Sequence, residues 1–334
     1  MIVFSAATHP RESRAGPLYP QRMGEFDLIE RFFKRPARRA VLGVGDDCAL
    51  LQPTAGMQLA VSSDMLVEGR HFFADVDPVA LGHKALAVNL SDLAACGATP
   101  LAFTLALALP RVDEAWLQGF STGLLALADA HGCELVGGDT TQGPLNICIT
   151  VFGEVPRGQA LLRSGAQPGD DIYVSGTLGD ARLALEALRG RVQLPDGELA
   201  RARTRLERPE PRVALGQALR GIASSAIDIS DGLAGDLGHI LKASGVGAAL
   251  NTDAALGLMA ADGKKLEYVL SGGDDYELAF TAPQSARQAV DAAGAQAGTP
   301  VTRIGQIQQQ PGLRLTDAQG RPVEGNFRSF DHFA

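Results

Sequence analysis

The sequence has no hydrophobic run long enough to cross a lipid bilayer. Its most apolar stretch, residues 101–109 (LAFTLALAL), covers less than half of the roughly 20 residues that a membrane-spanning helix needs. The first 22 residues also lack the basic-then-apolar order of a secretory signal. We therefore expect no membrane partner, and we expect residues 1–22 to be a disordered extension that precedes a natural start at Met23.

Basic residues are outnumbered by acidic ones and form no stripe. The chain of 334 residues has 30 Lys and Arg against 38 Asp and Glu, which gives a formal net charge of −8. Nucleic acid is therefore not an expected partner. A protein of this charge that handles phosphates would need cations to mediate.

Cysteine is also scarce, with four residues and no Cys-x-x-Cys spacing. No histidine lies at zinc-ligand spacing from them, so the sequence predicts neither a zinc site nor a disulfide framework. Reduced thiols are typical of a cytoplasmic protein, which is the location that we expect.

Two common phosphate-binding signatures are absent. There is no G-x-x-x-x-G-K-[ST] sequence, which excludes a P-loop, and no H-R-D loop with D-F-G, which excludes a protein-kinase fold. Residues 228–239 (DISDGLAGDLGH) have some likeness to a calcium loop. Their twelfth position is His239, where a calcium loop needs a bidentate glutamate, so a calcium-binding module is a weak interpretation.

Helical and extended patterns alternate along both halves of the chain, which predicts an α/β (α+β mixed) protein with two domains. The composition loosens at residues 156–170, so we expect domains of residues 23–155 and 156–334. The expected helices are 25–34, 77–97, 113–132, 177–189, 211–220, 231–244, 264–270 and 284–294, and the expected strands are 57–64, 99–110, 133–141, 145–155, 171–176, 225–230, 276–280 and 301–307.

Acidic residues recur at the ends of these strands and at glycine turns, where functional groups of α/β proteins collect. Apolar flanks predict that the first pair, Asp46 and Asp47, is buried. Each aspartate could alternatively cap a helix or close a turn, but repeated Ser-Asp, Gly-Gly-Asp and Asp-Asp endings favour a shared site. The residues concerned are Asp46, Asp47, Asp64, Asp92, Asp139, Asp228, Asp231, Asp274, Asp275 and Glu277.

Such a group of carboxylates predicts a bound cation. Two carboxylates about 4 Å apart repel by about 4 kcal/mol at an effective dielectric constant of about 20, so several in one cleft require protonation or metal ions. The available ligands are oxygens, including the hydroxyl groups of Ser62 and Ser63. Oxygen ligands without a Cys or His cluster indicate Mg²⁺, which completes its shell with water and substrate phosphates.

The ordered set of motifs closely resembles the thiamine-monophosphate kinase family, part of the ATP-using superfamily that includes aminoimidazole ribonucleotide synthetase and selenophosphate synthetase. The resemblance covers residues 23–334 and implies a homodimer whose N-terminal sheets pair into a barrel, a C-terminal α/β domain, and clefts between the two halves. The motifs are GVGDDCALL, SSDMLVEGRHF, KALAVNLSDLAACGATP, VGGDTT, LLRSGAQPGD, SAIDISDGL, SGGDDYELAF and FDHF.

The resemblance implies ATP-dependent phosphorylation of thiamine monophosphate to thiamine diphosphate, by direct in-line transfer assisted by several Mg²⁺ ions. A phosphate monoester has a second pKa near ~6, so the acceptor is ionised at neutral pH and no general base is expected. Asp92 and Asp228 are expected to be central. The implied metal ligands are Asp46, Asp47, Ser62, Ser63, Asp64, Asp92, Asp139, Asp228 and Asp231; the implied nucleotide contacts are Gly138, Arg163 and Ser230; and the implied thiamine contacts are His71, Asp274 and Phe330.

The sequence departs from the family pattern at two of these positions. The family often has Thr where Ser63 stands and Glu where Asp274 stands, so the shorter Asp274 side chain puts its substrate contact in doubt. Two other functions stay open: another ATP-using enzyme of the superfamily, such as aminoimidazole ribonucleotide synthetase, and a non-catalytic nucleotide or metal sensor.

Two structural alternatives also stay open. Lys84 precedes Asp92 on the same expected helix and either pairs with a carboxylate or is solvated. The apolar stretch 101–109 needs cover on both faces, either within one subunit or from a partner subunit, and the resemblance favours the partner.

Overall fold

The computed structural model describes residues 23–261, 264–325 and 327. The expected extension 1–22 and the expected thiamine contact Phe330 lie outside these residues. Within the described part of the chain, helices and two separate β-sheets confirm the α/β (α+β mixed) class. No described helix combines the length and the hydrophobicity that crossing a membrane requires.

The first half of the chain forms a four-stranded sheet with two long helices against one face. The strand order is β1-β4-β2-β3; β4 pairs antiparallel with both β1 and β2, and β3 pairs parallel with β2. The elements are α1 (Glu25–Phe32), β1 (Met57–Val67), α2 (Pro78–Ala95), β2 (Thr99–Leu109), α3 (Glu114–Ala130), β3 (Glu134–Gln142) and β4 (Asn146–Pro156).

Helix α2 begins and packs as its sequence requires. The Asp77 side chain accepts hydrogen bonds from the amides of Val79 and Ala80, each at 3.3 Å, and Pro78 occupies the first turn. Helix α3 approaches so closely that a Cβ added at Gly123 would lie 1.9 Å from the Val79 carbonyl oxygen. This close packing fixes α2, which carries Asp92 and Lys84, against the sheet.

The second half forms a six-stranded sheet in the order β10-β7-β9-β5-β8-β6. Strands β7 and β10 pair in parallel, and the other described neighbours within this sheet pair antiparallel. One apolar cluster is confined to this half, whereas the main cluster of the first half also includes Tyr173, Phe280 and Val290 of the second. The elements are β5 (Asp171–Ser175), α4 (Asp180–Leu188), α5 (Asp196–Glu207), α6 (Val213–Ala218), β6 (Ser225–Asp228), α7 (Leu233–Ser244), β7 (Gly247–Asn251), α8 (Thr252–Leu256), α9 (Leu266–Ser271), β8 (Leu278–Ala282), α10 (Arg287–Gln296), β9 (Val301–Gln308) and β10 (Gly312–Thr316).

Four elements of the second half were missed by the sequence prediction. Helix α5 buries only Ala202 and Leu206 and is otherwise polar, so its apolar periodicity is weak. Strands β7 and β10 are short, β7 has small residues, and β10 lies at the sheet edge with partly exposed side chains. Helix α8 spans five residues, which is too few for a helical repeat to be recognised.

The sheet of the first half has one covered face and one open face. On the covered face Phe103, Leu105 and Leu107 of β2 are buried. On the open face Val61 and Met65 of β1 are 55% and 52% exposed. Because side chains alternate along a strand, successive residues of β1 and β3 lie in turn on the covered face and on the open face.

Candidate active site

A cavity between the two halves collects residues from six parts of the chain. We call it the acidic cavity. In the first half these parts are β1, the residues just after it and α2. In the second half they are α4 with the residue after it, the end of β6 with the segment that follows it, and the turn between α9 and β8. The residues that line it are Asp64, Met65, Leu66, Arg70, His71, Val88, Asp92, Arg182, Leu185, Arg189, Asp228, Ser230, Asp231, Gly272, Gly273, Asp274 and Tyr276.

Hydroxyl groups hold two of the carboxylates in place. Ser62, which shares the covered face of β1 with Asp64, donates a hydrogen bond to Asp92 Oδ2. Ser91, the neighbour of Asp92 on α2, donates to Asp228 Oδ2 at 2.8 Å. Helix α2 of the first half thereby contacts the end of β6 in the second half.

Burial and mutual repulsion raise the pKa values of these carboxyl groups. The pKa of Asp64 rises from 3.8 to about 6 because of burial, with further increases from Asp92 and Asp231. Burial also raises the pKa of Asp228, and the Asp92 charge adds to it. Burial raises the pKa of Asp92, although the Ser62 hydroxyl and the Arg163 guanidinium oppose the rise. Hydrogen bonds and charges of the protein therefore compensate the negative charge of these carboxylates only in part.

The donor chemistry of the cavity fits Mg²⁺. All the converging ligands are carboxylate and hydroxyl oxygens, which Mg²⁺ prefers, and protein sites for this ion usually supply one or two carboxylates and leave the rest to water and phosphate. Among residues 23–261, 264–325 and 327, no three His, Cys, Asp or Glu side chains stand close enough to hold one ion unaided.

The remaining sequence-predicted metal ligands lie elsewhere. Asp46, Asp47 and Asp139 line a separate groove, which we call the outer groove, together with the predicted nucleotide contact Gly138, α1 and part of β2. Asp139 pairs in register with Ala106, whose side chain is on the open face of the sheet. Within one protomer, the structure therefore divides the predicted ligands between two sites.

The expected burial of Asp46 and Asp47 was wrong. Both side chains are exposed, and the Asp47 amide donates a hydrogen bond to Asp46 Oδ1 at 2.9 Å. Gly45, just before the pair, has a φ of 124°, which lies in the region that favours glycine. Solvent therefore already compensates these two charges.

Ser63 lies on the opposite face of β1 from its neighbours Ser62 and Asp64, because side chains alternate along a strand. Its hydroxyl group contacts the Thr150 hydroxyl at 3.0 Å and the Ile149 carbonyl at 3.1 Å on β4. Ser63 pairs with Thr150 in register, whereas Ser62 and Asp64 pair with the buried Val151 and Ile149. Ser63 therefore lies on the open face, opposite to Ser62.

The predicted nucleotide contacts Arg163 and Ser230 are held by residues that sequence reasoning missed. Asp236 Oδ2 accepts the amides of Ser230 and Asp231, both at 3.1 Å. Ser244 donates from its hydroxyl group to the Arg163 carbonyl at 3.3 Å. Asp236 follows Asp228 and Asp231 in the segment 228–239, so a third aspartate at the start of a helix was the available sequence signal.

Lys84 joins the two halves at this site. Its ammonium group is nearly fully buried and donates to Asp274 Oδ1 at 2.8 Å. Of the two alternatives for Lys84, pairing with a carboxylate is confirmed. The predicted thiamine contact Asp274 is therefore placed by a residue of α2.

The turn between α9 and β8 has an unusual backbone. Asp274 and Tyr276 have φ angles of 60° and 51°, which residues other than glycine rarely adopt. Tyr276, which sequence reasoning missed as a site residue, lines the acidic cavity. Two positive φ angles within three residues indicate a backbone that its surroundings hold in an unfavourable conformation.

A second, mainly apolar cavity adjoins the acidic one, and we call it the apolar cavity. The two share five lining residues, among them the predicted thiamine contacts His71 and Asp274. The Val67 amide donates to His71 Nδ1 at 3.0 Å, which places the proton of a neutral ring on Nε2. The apolar residues that line this cavity are Phe72, Phe73, Val76, Leu81, Leu185 and Leu206.

Comparison with known protein families gives a consistent result. The model of the AIR synthase related protein, N-terminal domain, matches residues 45–155. The model of the AIR synthase related protein, C-terminal domain, matches residues 167–318. The aminoimidazole ribonucleotide synthetase-like fold expected from the sequence is confirmed.

Two curated relatives are similar over nearly the whole chain. The thiamine-monophosphate kinase of Salmonella typhimurium is 50% identical over 321 residues, which cover 93% of this chain and 98% of the relative. That of Escherichia coli strain K12 is 48% identical over 320 residues, with the same two coverages.

Solved structures agree with the sequence comparison. The crystal structure of thiamine-monophosphate kinase from Stenotrophomonas maltophilia K279a has a TM-score of 0.79 at 45% identity and covers 85% of this chain and 92% of its own. AaThiL complexed with AMPPCP and TMP has a TM-score of 0.73 at 30% identity, covering 84% and 89%. The hydrogenase maturation protein HypE, at 21% identity and a TM-score of 0.73, shows the shared fold alone.

Proposed function

The chain belongs to the thiamine-monophosphate kinase family, and from this premise we propose that it transfers a phosphate group from ATP to thiamine monophosphate. The product is thiamine diphosphate. The observation that carries the proposal is the meeting of Asp64 and Asp92 from the first half with Asp228 and Asp231 from the second in one cavity. A similar solved structure is AaThiL complexed with AMPPCP and TMP, and the ligands of that complex support the choice of substrates.

Several Mg²⁺ ions would, when bound, neutralise the negative charge of the two phosphorylated substrates. In the acidic cavity the residues to hold them are Ser62, Asp64, Asp92, Asp228 and Asp231. In the outer groove they are Asp46, Asp47 and Asp139, and Ser63 lies on the same open face of the sheet. All of these offer hard oxygen ligands, as Mg²⁺ requires.

The side chains of the protein mainly bind and align the substrates. The acceptor phosphate is already ionised at neutral pH, so no side chain needs to remove a proton, and we assign no general base. Arg163, whose charge lowers the pKa of Asp92, would bind nucleotide phosphate together with Ser230. Gly138 would contact the nucleotide from the outer groove.

The acceptor would occupy the two adjoining cavities. Its heterocycles would lie in the apolar cavity, and its phosphate would point into the acidic cavity. His71 and Asp274 line both cavities and would contact the substrate at the junction. Phe330 stays a prediction from the family resemblance.

We also propose a homodimer formed through the open face of the first sheet. Leu59, Val61 and Met65 expose 46%, 55% and 52% of their surface on this face of the edge strand β1. A partner sheet would bury these apolar side chains. It would also cover the face that carries Ser63 and Asp139, so the outer groove would be completed in the dimer.

The dimer proposal is tested by Val61→Glu. Size-exclusion chromatography with light scattering should give about twice the 34.9 kDa chain mass for the wild type and the monomer mass for the variant, because a buried charge is costly. Val112→Glu, at a valine that is 47% exposed outside the sheet, is the control. A monomeric wild type would contradict the proposal.

The kinase assignment is tested by Asp92→Asn. With ATP, Mg²⁺ and thiamine monophosphate, the wild type should release ADP and form thiamine diphosphate, detected by chromatography. The variant should lose activity by about 100-fold or more, because a ligand of the acidic cavity has lost its charge, and removing Mg²⁺ should silence the wild type. Asp113→Asn, which retains a helix cap on α3, should behave as wild type.

Two outcomes would favour other functions. Turnover with a purine precursor but not with thiamine monophosphate would indicate an enzyme of the aminoimidazole ribonucleotide synthetase type. Nucleotide binding without ADP release at saturating Mg²⁺ would indicate a sensor.

A further inference from the structure

Tyr276 stands among carboxylates that carry the proposed chemistry, yet it is itself neutral. Its side chain lines the acidic cavity together with Asp64, Asp92, Asp228 and Asp231. Carboxylates only accept hydrogen bonds when ionised, whereas a phenol donates one. The Tyr276 hydroxyl group is therefore a neutral hydrogen-bond donor beside the carboxylates that are proposed to bind metal ions.

The backbone around Tyr276 is locked in the conformation that directs this side chain to the cavity. The Tyr276 amide donates to the Ile229 carbonyl, and the Asp274 amide donates to the Ser230 carbonyl, both at 2.8 Å. These bonds tie the turn to the segment that precedes Asp231. The positive φ angles of Asp274 and Tyr276 persist because this pairing over-determines them.

The residues that alternate with Asp274 and Tyr276 anchor the turn from its other side. Asp275 accepts the Gly179 amide at 3.0 Å. Glu277 is fully buried and is held by the guanidinium groups of Arg205 and Arg212. With both anchors in the interior of the second half, the Asp274 and Tyr276 side chains are left facing the cavity.

The Tyr276 hydroxyl group is available to a ligand at little cost. It contacts Asp274 Oδ1 at 3.4 Å, which is a long and weak hydrogen bond. The same oxygen already accepts a 2.8 Å bond from the Lys84 ammonium group. Asp274 therefore keeps its main partner when the phenol turns to another acceptor.

We propose that the Tyr276 hydroxyl group donates a hydrogen bond to the phosphate of the acceptor substrate in the acidic cavity. The proposal rests on the proposed function for the identity of the acceptor. It assigns a role to the strained turn, which places a neutral hydrogen-bond donor beside the carboxylates.

The protonation of Tyr276 is consistent with this role. Burial raises its pKa well above 10, and the charges of Asp274, Asp64 and Asp228 raise it further. The phenol therefore keeps its proton at neutral pH and acts as a donor rather than a base.

Tyr276→Phe removes the hydroxyl group and keeps the ring, which packs against the hydrophobic core. We expect the KM for thiamine monophosphate to rise about tenfold, because a hydrogen bond to a charged group is lost, while the KM for ATP is unchanged. Tyr173→Phe is a matched control: its hydroxyl group also lies 3.4 Å from an aspartate two residues earlier, Asp171, away from the cavity. The control should leave both KM values unchanged.

Calorimetric titration separates this proposal from the kinase assignment. Without ATP, Tyr276→Phe should bind thiamine monophosphate about tenfold more weakly than the wild type and should bind thiamine, which has no phosphate, equally well. Equal affinities of the two proteins for thiamine monophosphate, or an equal loss for both ligands, would overturn the proposal. A phosphate-dependent loss in a protein that releases no ADP would support the hydroxyl contact and refute the kinase assignment.

Discussion

Single carboxyl groups in the acidic cavity carry an energetic cost that their protein neighbours do not remove. The Ser91 hydroxyl lowers the pKa of Asp228 and the Ser62 hydroxyl lowers that of Asp92, but burial outweighs both and the two pKa values stay raised. A charge that is buried without full compensation destabilises the folded state. Divalent cations would remove this cost when the protein binds its substrates.

The pH dependence of stability should reveal this cost at Asp64. Its pKa rises from 3.8 to about 6 on folding, so the folded protein binds this proton more tightly than the unfolded chain. Its contribution is therefore fully stabilising below pH 3.8 and is lost as the pH rises through about 6. In EDTA at pH 7.5, Asp64→Asn should raise the melting temperature by about 2–4 °C.

Thermal unfolding of Asp64→Asn and the wild type between pH 4 and pH 8 checks this expectation. The gap in melting temperature should close towards pH 4. Asp129→Asn, at a surface ion pair with Arg35, should show no such trend. A constant gap at every pH would mean that the Asp64 charge is not responsible.

At the level of elements, a buried ion cluster fixes the turn between α9 and β8. Glu277 accepts hydrogen bonds from Arg205 of α5, from Arg212 before α6, and from the Ser175 hydroxyl at the end of β5. The cluster therefore ties α5, the start of α6 and the end of β5 to the residues that follow Tyr276. Helix α5, which the sequence prediction missed, is part of this support.

Glu277→Ala should be strongly destabilising. The substitution leaves two largely buried guanidinium groups without their shared partner, which costs about 3–5 kcal/mol of unfolding free energy. Glu30→Ala, which breaks the exposed i,i+4 pair with Lys34, should cost about 0.5 kcal/mol or less. Urea denaturation measures both, and equal losses would refute a central role for the cluster.

On the scale of the whole molecule, the two halves meet through α2. This helix contacts α6 and β6 of the second half, and it provides both the Lys84–Asp274 ion pair and the Ser91–Asp228 hydrogen bond. The acidic cavity lies along the same boundary. Contacts that join the halves therefore also define the geometry of the site.

The Lys84–Asp274 pair should respond asymmetrically to substitution. Asp274→Ala leaves the ammonium group of Lys84, whose side chain is 4% exposed, without its carboxylate and should cost about 3 kcal/mol or more. Lys84→Met leaves Asp274, which is 32% exposed, in contact with solvent and should cost less. Urea denaturation of both variants and of the double variant gives the coupling, and equal costs would show that burial of the charge is not decisive.

Much of the fold was predictable because its patterns are local. Helix α2 has a capping aspartate, a proline in its first turn and a glycine after its end, and the sequence prediction located it to within two residues. The strands with long apolar runs, β2 and β4, were found in the same way. Helix α5 was missed because a mostly polar surface helix has little apolar periodicity.

The candidate site was predictable in residue type but not in arrangement. The motifs indicated which aspartates and serines carry oxygen ligands, and family membership is confirmed by the comparisons. Tyr276 and Asp236 were missed because their roles depend on contacts with segments far along the chain or on an unusual backbone. The ligand assignments themselves, the domain boundary within residues 156–170 and the dimer stay predictions.

The sequence by itself determined the class of fold, the order of the elements in the first half and the oxygen side chains available to the site, because these follow from local periodicity and from side-chain type. Only the tertiary structure decided that Ser62 and Asp64 face Asp92 while Ser63 faces away, and that Lys84 pairs with Asp274. Strand alternation and the packing of distant segments control these choices. A shift of one residue in β1 would exchange the two faces without changing a single motif.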